Sequence, residues 1–360
     1  MMQIQSHSHP YTVEEFSTVD AALAGLGGPG AFVLVDAKVA ELYRKPLSTA
    51  FAGEQVHQIT ATEHAKSYEQ LAPVFCWLLE RRCQRSSHLV VIGGGVLQDI
   101  GCFIASVLMR GIRWTLVPTT LLAQCDSCIG SKSSLNIGKF KNQLGTFYAP
   151  HEVRLAPEFL GSLSEPEILS GLGEAIKLHL IAGAAEWTWL RTQLPNSPQT
   201  LPAIIRNSLQ IKQRFIEVDE FDRGIRNLLN YGHTFAHAFE SATSFAIPHG
   251  IAVTLGVACA TLFSEQLGMI SSEDCDALVE RLQPYFGGYA ATLAKVPVAS
   301  IVAGMKQDKK NVGNQLAFIL TRGPGRMEKV SLEPARATAL LVGCIDRLQA
   351  APYQPQRQCA

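Results

Sequence analysis

Three features of the chain predict an α/β protein: an N-terminal domain on a mostly parallel sheet, then a mainly α-helical domain. Up to about Pro157, short β-rich runs alternate with segments of helical spacing, the pattern of a parallel sheet covered on both faces. Beyond that point the β-rich runs nearly stop. The third feature is a triple glycine, Gly93 to Gly95, which follows one run directly and opens a helical stretch. It places a tight turn at a strand's carboxyl end, where ligands of such sheets bind.

The predicted strands are AFVLVDA from Ala31, QVHQITA from Gln55, HLVVIGGG from His88 and IRWTLVPTT from Ile112. Between them, helical spacing is read around residues 38–48, 63–83 and 96–110. In the second part it is read around 165–184, 200–216, 227–243, 249–267, 272–285 and 333–349. LAFILTRGPGRMEKVSL, from Leu316, is two β-like runs joined by Gly-Pro-Gly, which reads as a hairpin. The expected domains are therefore residues 1–160 and 161–360, with the active site in the cleft between them.

Composition narrows the function classes. The chain carries 31 basic and 31 acidic residues. That neutrality argues against a general nucleic-acid or anionic-membrane binder, although a local basic pocket is compatible with it. Nine scattered cysteines, an odd number in a chain of 360 residues, fit reduced thiols better than a disulfide framework. Cys125 and Cys128 form a C-x-x-C, but no second pair with zinc spacing follows. The opening MMQIQSHSHP has no secretory pattern and no apolar run reaches membrane-spanning length, so a soluble, cytoplasmic protein is expected.

Three clusters carry chemistry. GGGVLQDIG, Gly93 to Gly101, puts glycines between a strand and a helix. Backbone amides there can approach a pyrophosphate, although a plain tight turn would look the same. NYGHTFAHAFE places His233 and His237 four apart, IPHG adds His249, and GLGEAIK sets Glu174 and Lys177 one helical turn apart. One carboxylate with two or three imidazoles suits a divalent metal, against the alternative of ordinary helix-face histidines. Asp126, Lys132, Lys141 and Asn142 lie in a glycine- and serine-rich stretch. Lysines flanked by small residues suit a phosphate pocket, or else a solvated loop.

All three clusters occur in this order in the 3-dehydroquinate synthases and their sugar-phosphate cyclase relatives. The sequence resembles that family from about Asp36 to Lys310, through GGGVLQD, RGIRWTLVPTTLLAQCDS, GSKSSLN, KNQLGTF, GLGEAIK, RNLLNYGHTFAHAFE, PHG and DKK. The resemblance implies a Rossmann-like NAD-binding domain and a helical metal- and substrate-binding domain. It implies a zinc or cobalt ion on Glu174, His233 and His249, with His237 assisting proton movement near the leaving phosphate. It implies NAD contacts from Asp36, Glu63, Lys66 and Lys141, from Gly94, Gly95 and Asp99, and from Thr119 and Thr120. The implied substrate pocket comprises Asp126, Lys132, Asn142, Lys177, Lys212, Arg226, Asn230 and Lys309 or Lys310. Arg110 matches an arginine that reaches the phosphate, in some members from a neighbouring subunit, so a homodimer is expected.

The implied reaction is a phosphate-eliminating cyclisation with transient oxidation by NAD and an aldol closure. Retained Arg226, Asn230 and His237 favour a carboxylated substrate, 3-deoxy-arabino-heptulosonate 7-phosphate or its amino analogue. Alternatives are a cyclase acting on sedoheptulose 7-phosphate or another sugar phosphate, a metal-dependent polyol dehydrogenase, and a catalytically silent relative. A dehydrogenase would release NADH and need no lysine-rich pocket. The sequence departs from the family pattern at Gln98, Cys128, Ser131, Pro166, Ala236 and Ile251, where glycine, serine, glycine, arginine, glycine and glutamate are usual.

Overall fold

A computed structural model describes residues 1–138, 140–194, 197, 199–306 and 315–350. Two compact units result: Met1–Ser164 with Ser197–Asp222, and Glu165–Asn196 with Arg223–Ala360. The first unit is built on strands β1 (Met2–Ile4), β2 (Tyr11–Glu15), β3 (Ala31–Asp36), β4 (Val56–Ile59), β5 (His88–Gly93) and β6 (Arg113–Pro118). It continues through a small antiparallel pair, β7 (Leu135–Ile137) and β8 (Phe140–Leu144), and β9 (Glu152–Leu155). Seven of these strands form one sheet in the order β1-β2-β9-β6-β5-β3-β4. Only the β1–β2 pair is antiparallel; the other pairings are parallel.

The central strands explain the unbroken apolar runs. Val33, Leu34 and Val35, Leu89 through Ile92, and Leu116 with Val117 are all fully buried, as strands covered on both faces must be. Their carboxyl ends bring Asp36, Gly93 and Pro118 to one edge of the sheet.

Local chemistry adjusts several predicted helices. The stretch 38–48 splits into Ala37–Leu42 and Arg44–Ala50. The 63–83 stretch becomes a short 3-10 turn, Tyr68–Gln70, then a helix Ala72–Glu80 with Pro73 in its first turn. The expected helix at 227–243 is a 3-10 segment, Ile225–Asn230, and an α-helix, His233–Ala242. Gly232, with φ 79°, breaks the two apart, a left-handed conformation that glycine adopts without cost. Cys125 and Asp126 lie on a π-helical turn, Ala123–Ser127, rather than in an open loop.

The second unit is mainly helical and contains the Leu316 hairpin, β10 (Leu316–Thr321) with β11 (Met327–Leu332). Its centre is the helix His249–Gln266, buried at almost every position. Small residues let its neighbours approach. A Cβ on Gly173 would lie 1.9 Å from the Gly250 carbonyl oxygen, and one on Gly250 would lie 1.7 Å from that of Ser170. Bare glycine on both helices therefore permits the crossing that sets Glu174 beside His249. Among the described residues no single helix is long and apolar enough to cross a membrane.

Candidate active site

In the second unit, Glu174, His233 and His249 offer one oxygen and two nitrogens that all lie within 4.8 Å of one another. Glu174 Oε1 is 3.2 Å from His249 Nε2 and 3.7 Å from His233 Nε2. The other carboxylate oxygen meets Lys177 Nζ at 2.6 Å, one turn along the same helix. Both Glu174 and Lys177 are buried. His237 stands one turn beyond His233, with ring centroids 5.6 Å apart, and stacks toward His249 at 6.2 Å.

Glu240 completes this set and was not among the residues the sequence singled out. Its Oε1 lies 3.2 Å from His249 Nδ1, which donates to it. The bond turns Nε2 toward Glu174, the orientation a metal-ligating imidazole takes from a carboxylate partner. Burial alone would lower the His249 pKa, but Glu240 and then Glu174 outweigh it and push it up to about 10. With one carboxylate and two imidazoles, the donor set fits zinc or cobalt. The signal for Glu240 was available: His233, His237 and Glu240 follow i, i+4, i+7 spacing, a single stripe of one helix. Replacing Glu240 with glutamine should weaken metal affinity by about tenfold to a hundredfold. Competition with a chromogenic chelator measures this, and unchanged affinity would show that the carboxylate does not tune the ligand.

In the first unit, β5 runs into Gly94, which caps the helix Gly95–Val107. A Cβ on Gly94 would come within 2.8 Å of the Thr120 methyl, so the turn is as tight as a pyrophosphate cradle requires. The Thr119 amide donates to Gly93 O at 3.1 Å, holding the β5 and β6 ends together. Asp36 ends β3 and accepts from the Lys38 amide. Asp99 pairs with Lys66 at 2.8 Å and accepts from the amide and hydroxyl of Ser134. Burial raises the Asp99 pKa against the pull of Lys66 and Ser134. Glu63 accepts from the Asn136 side chain at 2.9 Å and faces Lys141 at 3.9 Å. Asn142 donates its amide to Asn136 Oδ1.

Two candidate lysines of this unit pair with carboxylates. Lys212, on the helix Leu201–Ile216, reaches both the Asp126 carboxylate at 2.5 Å and the Asp126 carbonyl at 2.7 Å. Lys132 pairs with Asp222. Arg110 is exposed, on a turn where Met109 and Arg110 both have left-handed backbones. In the second unit, Arg226 is buried on the 3-10 segment before His233, and Asn230 bonds the Asn227 carbonyl. Lys309 and Lys310 lie outside the described residues.

Five of the six departures from the family pattern are buried; Pro166 is exposed. Gln98 and Ser127 exchange two hydrogen bonds, 2.5 and 2.8 Å long. Ile251 and Ala236 are fully buried. The Cys128 thiol is pushed up to about 12 by burial, which makes it unreactive. All cysteines among the described residues are free.

Models of the 3-dehydroquinate synthase N-terminal and C-terminal regions match residues 56–170 and 171–311. A 3-dehydroquinate synthase from Ruegeria sp. (strain TM1040) is 35% identical over 308 residues, 81% of this chain and 82% of its own. Among solved structures, a 2-epi-5-epi-valiolone synthase from Streptomyces hygroscopicus with NAD+ and Zn2+ bound has a TM-score of 0.81 at 24% identity. That match covers 94% of this chain and 97% of the other. A 2-deoxy-scyllo-inosose synthase complexed with carbaglucose-6-phosphate, NAD+ and Co2+ has a TM-score of 0.79 at 19% identity, covering 94% and 98%. Both share the fold.

Proposed function

Because the chain belongs to the 3-dehydroquinate synthase family, we propose that it converts 3-deoxy-arabino-heptulosonate 7-phosphate to 3-dehydroquinate with loss of phosphate. It is an enzyme, a sugar-phosphate cyclase. One observation supports the specific reading above others. The convergent Glu174, His233 and His249 are joined in the same unit by a buried lysine and a buried arginine, Lys177 and Arg226. A buried guanidinium suits planar, bidentate recognition of a carboxylate.

Bound NAD would supply a reversible hydride acceptor and a bound zinc or cobalt ion Lewis acidity. Glu174, His233 and His249 would hold the ion. Asp36, Glu63, Lys66 and Lys141 would hold the adenosine end of NAD, and Gly94, Gly95 and Asp99 its pyrophosphate and nicotinamide side, near Thr119 and Thr120. In this proposal Lys132, Lys212 and Arg110 bind phosphate, and Arg226 binds the carboxylate. Asp126, Asn142, Lys177 and Asn230 orient the hydroxyls, with Lys309 or Lys310 contributing a further cation. His237 moves the proton as phosphate departs. The proposal divides these tasks between residues 1–160 and 161–360. It also includes a homodimer, in which the exposed Arg110 serves the neighbouring subunit, and a cytoplasmic location suited to free thiols.

The test is phosphate release by purified protein supplied with NAD and zinc or cobalt. The expected result is fast release from 3-deoxy-arabino-heptulosonate 7-phosphate and slow release from sedoheptulose 7-phosphate and glucose 6-phosphate. Faster release from either of the latter, or from the amino analogue, would reassign the substrate within the cyclase chemistry.

A further inference from the structure

Gly130 and Ser131 turn the chain out of the π-helical segment with left-handed backbones, φ 103° and 63°. Glycine takes this conformation freely; a serine pays a steric penalty at its Cβ. Ser131 is buried and held by hydrogen bonds, one of them from the Cys102 thiol to its carbonyl at 3.8 Å. Its hydroxyl donates to Glu220 Oε1 at 2.8 Å, and its carbonyl accepts from the Tyr148 amide at 2.7 Å. The same Glu220 carboxylate accepts from the Ser6 hydroxyl and the His7 amide, each at 2.6 Å. One side chain thus ties the N-terminal segment to the turn that leads into Lys132.

Lys132 follows directly. Its backbone bridges Phe147, its ammonium lies 5.8 Å over the Phe147 ring, and it pairs with Asp222, two residues beyond Glu220. The backbone direction at Ser131 therefore sets where that ammonium points.

We propose that Glu220 and Ser131 are positioning residues, which hold the left-handed turn and so place Lys132 for the substrate phosphate. The proposal rests on the reading of Lys132 as a substrate ligand. It separates two substitutions that both remove the hydroxyl. Ser131→Ala keeps a Cβ in the left-handed region without its anchoring bond. Ser131→Gly relieves the Cβ as well.

Steady-state kinetics with the sugar phosphate test it. Ser131→Ala should raise KM about tenfold while Ser131→Gly stays near wild type. In both, kcat and the dissociation constant for NAD, followed by fluorescence quenching, should stay close to wild type. Glu220→Ala should raise KM similarly, and Ser131→Gly added to it should restore most of the loss. Should Glu220→Ala fold poorly because it releases the N-terminal segment, the Ser131 pair still decides the matter, since it leaves the Ser6 and His7 bonds in place. Equal impairment of the alanine and glycine variants, or a wild-type KM in Ser131→Ala, would overturn the proposal. Lys132→Ala separates the two levels. An unchanged KM there would remove Lys132 from the pocket and sink the underlying reading. A raised KM there beside a normal Ser131→Ala would sink only the positioning role.

Discussion

His233→Ala is expected to abolish both metal binding and turnover. Glu174 Oε1 lies between the two imidazoles, 3.7 Å from His233 and 3.2 Å from His249. Removing one leaves a carboxylate and a single nitrogen, too few protein ligands for the three that a catalytic site of this type uses. Loss should be visible without any substrate. Zinc at a hundred times its dissociation constant stabilises a folded protein by about 2.7 kcal/mol, so wild-type protein should melt higher with zinc and the variant should not. A variant that kept one equivalent of zinc with wild-type affinity would show that His233 is not a ligand.

Lys212→Ala should be strongly destabilising, at about 3–5 kcal/mol of unfolding free energy. Its ammonium reaches both the side chain and the main chain of Asp126, and both residues are buried. Deleting the lysine takes the opposite charge away from a buried carboxylate; neutralising both partners does not. The double variant Lys212→Met/Asp126→Asn should therefore recover much of the stability in a urea titration while remaining inactive. If Lys212→Ala alone were as stable as wild type, the pair would be a surface-like contact of little weight.

What could be read from sequence followed the strength of the local signal. β3, β5 and β6 were legible because burial on both faces demands continuous apolar runs such as Leu89 to Ile92. β1, β2 and β9 were not read as strands. They span only Met2–Ile4, Tyr11–Glu15 and Glu152–Leu155, and their buried side chains are interrupted by partly or fully exposed ones. The helix Leu201–Ile216 was visible as a helix, but nothing in its periodicity says that it groups with Met1–Ser164. That placement comes from tertiary contacts such as Lys212 with Asp126, 86 residues apart.

The site divides in the same way. The spacing of His233 and His237 and the turn between Glu174 and Lys177 are local, so the sequence displays them. Glu240 shared that stripe, yet it acquires meaning only when the chain returns at His249 to receive its bond. Asp222 and Glu220 are further still from the loop they contact, 90 and 89 residues from Lys132 and Ser131. Only the folded first unit reveals those partners.

In the proposed reaction, turnover eliminates phosphate while NAD is regenerated. One assay tests it most directly: phosphate release and NADH absorbance followed together on 3-deoxy-arabino-heptulosonate 7-phosphate, with NAD far below substrate. Many phosphates should be released per NAD, with no accumulation of NADH. NADH rising in step with substrate consumed, with phosphate retained on the sugar, would instead make the protein a dehydrogenase and contradict it.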